Sequence, residues 1–222
     1  MVKEKIFIFG GGLQAKLAID IIEKEGKYDI SGILDSFKNP GIKVAGYGIL
    51  GPIERLSEIS RKFNINKGVI AIGDNYGRLK VVKQINNLLP LFEFVTIKHP
   101  AANIGSRVQI GPGCIIAAGA TVNNDCIIGD HCYLAFKSGL SHDSCMGEFS
   151  SLGPGAITGG SVQVGTCSAV AIGANVLNRR KIGSFSVVGA ASLIYHDVGD
   201  GVVVYGIPAK EVRKRKKDDP YL

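Results

Sequence analysis

From Ile104 onward an aliphatic residue returns at every sixth position. The series runs Ile104, Ile110, Ile116, Val122, Ile128, Leu134, Leu140, Met146 and Leu152, and after Thr158 it resumes with Val164, Val170, Val176, Ile182, Val188 and Ile194. Neither common element has that period: a helix repeats its face about every 3.6 residues and a strand every second residue. A repeat of six fits a parallel β-helix, in which each hexad supplies one short strand and one corner and each coil stacks on the last. A second series, four residues behind each aliphatic, is small: Cys114, Ala120, Cys126, Cys132, Ser138, Ser144, Ser150, Ala156, Ser168, Ala174, Ser186 and Ser192. In a narrow coil a large inward side chain needs a small inward partner. Three of the cysteines, Cys114, Cys126 and Cys132, are explained in this way as small core residues. Val162 and Arg180 depart from the series, and because an arginine cannot point inward unpaired, the corner at Arg180 is expected to bulge.

The first hundred residues have a different grammar. "KIFIFGGG" reads as a short buried strand running into a glycine turn, and Leu13, Leu17, Ile21 and Ile22 then recur at helical spacing. "YDISGILDS" is a second strand ending at Asp35, "GVIAIGDN" another strand, "YGRLKVVKQINNLL" another helix, and "LFEFVTIKHP" a closing strand. "PIERLSEISRKFN" reads as a short helix in between. Alternating strand and helix predicts a parallel sheet covered by helices. The predicted fold class is therefore α/β plus all-β: a small Rossmann-like parallel-sheet domain over residues 1–100 and a parallel β-helix over residues 101–222.

Composition removes several classes of function. Hydrophobic residues make up 45% of the 222, enough for a sizeable core. No apolar run is long enough for a transmembrane helix, and the N-terminal apolar run is too short for a signal peptide, so no membrane insertion and a cytoplasmic location are expected. The cysteine count is odd, no CxxC pair occurs, and Cys126 and Cys132 lack histidines at finger-like spacing; neither disulfides nor a metal site is expected. Much of the net charge of +7 lies in Arg213–Lys217, read as a solvated end that could attract an anionic ligand. No aromatic residues interleave with that charge, so nucleic acid is not an expected partner.

"GLSHDSCMGEFS" puts His142 and Asp143 between the inward Leu140 and Ser144. Both should stand on the flank of a corner. His131, in "IGDHCYL", is read as an ordinary solvated corner residue. An imidazole can accept a proton near neutral pH, and an adjacent carboxylate can orient the ring and stabilise its cation. An amine that attacks a thioester must lose a proton, and such a pair is equipped to take it. Cys145 is the nearest thiol, but its setting offers no activation, so a cysteine nucleophile is not expected.

"FGGGLQAKL" offers Gly10, Gly12 and Ala15 between a strand and a helix, where backbone can approach a diphosphate and the helix N-terminus favours anions. The pattern alone is weak, and a half-sized sheet would suit a mononucleotide better than a dinucleotide.

The hexads, the "SHDSCMGEFSSLGPGA" motif, the Rossmann-like first half and the closing "VYGIPAKEVRKR" together resemble the hexapeptide-repeat sugar acyltransferases. These fold as a left-handed β-helix with three hexads per coil, which over Ile104 to Leu193 would give about five coils. The resemblance implies an acetyl-CoA-dependent N-acetyltransferase acting on a nucleotide-linked amino sugar, a UDP-4-amino-4,6-dideoxy sugar, by direct attack without an acyl-enzyme. His142 would be the general base and Asp143 its support. Acetyl-CoA would be met near Ser151, Ile172, Gly173, Ala190, Ala191 and Lys210. The nucleotide sugar would be met by Gly11, Gly12 and Leu13 at the diphosphate, Asp35 and Ser36 at the nucleoside, and Gly73, Asp74 and Asn75 at a neighbouring strand end. Homotrimers with acetyl-CoA between adjacent β-helices are also implied. Two other readings remain: O-acetylation of a sialic acid or related sugar by the same base, and a nucleotide-binding trimeric scaffold without catalysis.

Overall fold

Strand β1 (Glu4–Phe9) starts with the exposed Glu4 and Lys5 and is apolar and buried from Ile6 to Phe9, as a strand covered on both faces must be. The computed structural model describes residues 3–219. Around β1 stand β2 (Tyr28–Leu34), β3 (Lys43–Val44), β4 (Tyr47–Gly51), β5 (Lys67–Ile70) and β6 (Glu93–Phe94) in the order β3-β4-β2-β1-β5-β6. All pairings are parallel except β3 with β4, an antiparallel hairpin the sequence did not disclose. This sheet is larger than the expected half-sized one, and its order reverses between β1 and β5, where ligands of open α/β sheets gather. Helices α1 (Leu13–Glu25), α2 (Leu56–Phe63) and α3 (Asn75–Leu88) connect the strands.

The predicted strand "LFEFVTIKHP" is in fact two. Glu93–Phe94 closes the first sheet, and Ile97–Lys98 opens the second domain by pairing with Ile115–Ile116. From there each two-residue strand pairs in parallel with the strand eighteen residues later, as Ile115–Ile116 does with Tyr133–Leu134, so three hexads close one coil. The coil has three flat faces. The first carries Ile97–Lys98 through Val187–Val188, the second Asn103–Ile104 through Leu193–Ile194, and the third Gln109–Ile110 through Lys181–Ile182. The inward aliphatics and small residues form one continuous core.

The small series has a second role. Cys114 Sγ donates to the Gly129 carbonyl, Cys126 Sγ to that of Ser141 and Cys132 Sγ to that of Gly147, fifteen residues on in each case. Ser168 Oγ reaches the Gly183 carbonyl in the same way. Each of these four residues thus carries a donor for a corner carbonyl of the next coil, which would otherwise lie unsatisfied in an apolar interior. Contact with Cys132 and burial push the Cys114 thiol up, and burial pushes Cys167 up to about 11. These are inert structural thiols.

Corners repeat as regularly as faces. Every sixth residue from Arg107 to Ala191 has a left-handed backbone, including Asp143 at φ 59°. Arg180 does not break the rule: the left-handed residue is still Arg179, and the Arg180 side chain turns out to donate to the Asn178 carbonyl. Val162 fits inside, fully buried.

The sheet domain docks on the corner between the third and first faces. Arg78 of α3, 2% exposed, donates from Nε to the His131 carbonyl and from one Nη to those of Ile72 and Gly73; the other Nη reaches Asn75 Oδ1 and the Phe149 carbonyl. His131 corrects the sequence reading. Its ring is buried, stacked on Phe149 with centroids 5.0 Å apart and edge-on to Phe94 at 4.7 Å. Burial, and then the charge of Arg78, lower its pKa to about 4.

The basic tail is largely exposed, as expected of a solvated end, but it is also anchored. Val202–Gly206 and Ala209–Lys214 form a hairpin along the first face, Arg215 donates to the Phe185 carbonyl, and Lys217 lies 4.7 Å from the centre of the Phe185 ring. No helix among the described residues is long and apolar enough to cross a membrane.

Candidate functional site

His142 and Asp143 stand on the corner between the second and third faces, with side chains 55% and 60% exposed. Neighbouring residues seldom face each other, but the left-handed backbone at Asp143 turns its carboxylate back, and His142 Nδ1 lies 2.7 Å from Asp143 Oδ2. Aspartate tolerates this backbone better than most residues. A carboxylate can only accept, so Nδ1 carries the proton and the Nε2 lone pair is left free. One coil on, Gly160 occupies the equivalent corner position. A Cβ there would lie 2.5 Å from both Cε1 and Nε2 of the ring, so the imidazole lies over this glycine. Nothing in the hexad pattern singled Gly160 out; only the stacking of coils makes it a neighbour of His142.

Further along the same corner, Leu177, Asn178, Arg180, Tyr195 and His196 line a shallow pocket of about 520 Å³. With coils about 4.8 Å apart, it begins about 10 Å beyond His142.

A larger pocket, about 840 Å³, opens in the sheet domain at the switch between β1 and β5. Of the residues expected at the nucleotide sugar, Gly12, Leu13, Asp35, Ser36 and Gly73 line it, together with Phe37, Glu54, Lys80 and Gln84, which the sequence did not single out. A Cβ on Gly12 would meet nothing within 4 Å, and no side chain caps α1, so its first N–H groups face open space.

Several expected contacts have other work. Asp35, 8% exposed, accepts from the Gly11 N–H at 2.6 Å and the Phe37 N–H at 2.8 Å, so it clamps the glycine loop to the end of β2. Gly11 is the clamped residue and does not line the pocket. Asp74 caps α3 by accepting from the Gly77 N–H at 2.5 Å. Asn75 is 2% exposed and donates to the Ser168 carbonyl, so it belongs to the domain junction and not to the pocket. Ser151 is 3% exposed on the first face and presents no open surface in this chain.

The remaining residues expected at acetyl-CoA do not surround His142. Ile172, Gly173, Ala190 and Ala191 sit on the corner between the first and second faces, with Ile172, Ala190 and Ala191 exposed. Lys210 is exposed on the terminal hairpin, opposite Tyr205. One chain therefore carries its imidazole, its expected cofactor residues and its docked sheet domain on three different corners of the coil. Among the described residues no group of three or more side chains is arranged to hold a metal ion.

Comparison with known proteins bears on this arrangement. The family model of the PglD N-terminal domain matches residues 5–85, and that of the bacterial transferase hexapeptide (six repeats) matches residues 107–142. A GDP-perosamine N-acetyltransferase of Escherichia coli O157:H7 is 28% identical over 218 residues, 93% of this chain and 96% of that one. The solved structure of PerB from Caulobacter crescentus, in complex with CoA and GDP-perosamine, is 30% identical with a TM-score of 0.87, covering 95% of this chain and 98% of that one. A variant of the Caulobacter GDP-perosamine N-acetyltransferase with a histidine replaced by alanine was also solved with both ligands. The acetyltransferase domain of PglB from Neisseria gonorrhoeae FA1090, in complex with acetyl coenzyme A, is 25% identical with a TM-score of 0.86, covering 95% of this chain and 100% of that one. The coil is the left-handed β-helix of these structures.

Proposed function

We propose, for a chain that belongs to the hexapeptide-repeat acetyltransferases carrying a PglD-type N-terminal domain and uses acetyl-CoA, that its acceptor is the amino group of a nucleotide-linked 4-amino-4,6-dideoxy sugar. The observation that carries this reading is the coexistence of an oriented, open imidazole with a nucleotide-sized pocket in the adjoining domain. Full-length similarity to enzymes named for N-acetylation of GDP-perosamine supports an amine as the acceptor over a hydroxyl.

Acetyl-CoA supplies an activated acetyl carbonyl. The sugar amine attacks it, a C–N bond forms and the C–S bond breaks. His142 Nε2 takes the proton the nitrogen must lose, while the Nδ1–H bond to Asp143 fixes the tautomer and stabilises the imidazolium. His142 then returns the proton to the departing sulfur. Gly160 leaves room for the ring to hold this position. The site is completed by a second chain in a homotrimer: the His142 corner of one subunit faces the Ile172, Gly173 and Ala190 corner of the next, with the cofactor between them. Arg180 and Tyr195, further along the His142 corner, suit the phosphate-bearing end of the cofactor. Survival of both ligands in a His-to-Ala variant of a relative fits a histidine that does chemistry more than binding.

The test is a CoA-release assay against GDP-, UDP- and dTDP-linked amino sugars, with His142→Ala beside the wild type. The expected result is turnover by the wild type and a loss of about 10²- to 10⁴-fold in kcat in the variant, with binding of both substrates retained. Undiminished turnover in His142→Ala removes the base from this assignment, and no turnover by the wild type on any sugar returns the chain to the scaffold reading.

A further inference from the structure

The sheet-domain pocket also contains side chains that neither the glycine loop nor the clamp explains. Phe37 stands on its rim with 99% of its surface exposed, an unusual setting for an aromatic ring unless something flat covers it. Beside it, Ser36 Oγ donates to Glu54 Oε2 at 2.8 Å and Gln84 Nε2 donates to Glu54 Oε1 at 2.9 Å. These two bonds come from different elements, the loop after β2 and helix α3, and hold the carboxylate in one orientation. A carboxylate accepts about four bonds in all, so these contacts fix it without exhausting its acceptor capacity. Hydrogen bonds from its own backbone N–H and from Ser36 hold the carboxyl below its ordinary range, so it is ionised at neutral pH.

A fixed, ionised carboxylate beside a stacking ring discriminates among nucleobases. It accepts only, so it pairs with an edge that presents adjacent donors. Guanine offers N1–H and the exocyclic N2 amine side by side. Uracil and thymine offer one N3–H between two carbonyl oxygens, which a carboxylate repels. Adenine and cytosine each set an amine beside an acceptor nitrogen. We propose that Glu54 reads the base of the nucleotide sugar and selects guanine, with Phe37 as the stacking platform. This rests on the nucleotide-sugar reading above and replaces the UDP expected from the sequence with GDP.

Isothermal titration calorimetry on the full chain, with GDP, IDP and UDP as probes, tests it. IDP keeps the guanine N1–H and lacks the exocyclic amine. GDP is expected to bind at least about tenfold more tightly than UDP, with IDP between them. Glu54→Gln should pull GDP affinity down towards that of UDP, while Phe37→Ala weakens all three nucleotides. Equal affinities in the wild type, a preference for UDP, or a GDP preference that survives Glu54→Gln overturns the assignment and leaves the pocket's general role intact. If the wild type binds none of the three, the nucleotide-sugar reading falls and base selection falls with it.

Discussion

At the scale of single residues, the proposed catalytic corner depends on one backbone angle and one missing methyl group. The left-handed turn at Asp143 brings a carboxylate onto its own neighbour, and the absent side chain of Gly160 leaves the ring its place. The backbone at Gly160 does not have a positive φ, so alanine there is a steric change alone. Gly160→Ala is expected to displace the imidazole and cut kcat by about 10- to 100-fold, with little change in melting temperature or in KM for the sugar; steady-state kinetics and a thermal melt check this.

A second residue-scale prediction concerns His131. Its pKa is about 4 in the fold and about 6.5 in the unfolded chain, so between these values the unfolded chain binds more protons. Its contribution is complete above pH 6.5 and is lost as pH falls to 4, by about 3 kcal/mol in total. Urea titrations at pH 7 and pH 4.5 should show the loss, and His131→Phe should reduce it. The sequence marked His142 correctly as a flank residue because the hexad phase alone decides that. It misplaced His131, at a similar kind of position, because what covers that ring is another domain. The clamp, cap and junction contacts of Asp35, Asp74 and Asn75 were not legible, because such contacts leave no mark in a sequence distinct from binding. Phe37 and Glu54 were missed because a loop residue and a residue in a single helical turn have no period.

At the scale of elements, the hexads were fully legible, since the inward positions keep a spacing of six over successive coils and only Thr158, Val162 and Arg180 depart in residue type. The elements between Asp35 and Val69, and the division of "LFEFVTIKHP" between two sheets, were not, because a two-residue strand is defined by its partner and not by its own composition. The joint between the domains is held by a buried arginine. Arg78 ties helix α3 and the Ile72–Gly73 edge of the sheet-domain pocket to the corner carbonyls at His131 and Phe149. Arg78→Met would leave those carbonyls buried without their donor, and a destabilisation of about 3–5 kcal/mol is expected in urea titration. A loss under about 1 kcal/mol would mean that the apolar contacts hold the joint without it.

At the scale of the whole molecule, the geometry of the coil argues for a shared site. The three corners of a parallel β-helix point in three directions, and this chain distributes imidazole, expected cofactor contacts and sheet domain among them. Threefold assembly of identical chains is the simple way to bring one chain's corner against a different corner of the next. The measurement that tests this most directly is complementation between two inactive variants. His142→Asn removes the base, and Ala190→Trp fills the facing corner; each is first confirmed by size-exclusion chromatography to assemble as the wild type does. When the two are unfolded, mixed in equal amounts and refolded together, roughly a quarter of wild-type CoA release is expected, because that share of interfaces pairs an intact imidazole with an intact facing corner. Activity no greater than that of the two variants refolded separately would contradict the account and confine the reaction to a single chain.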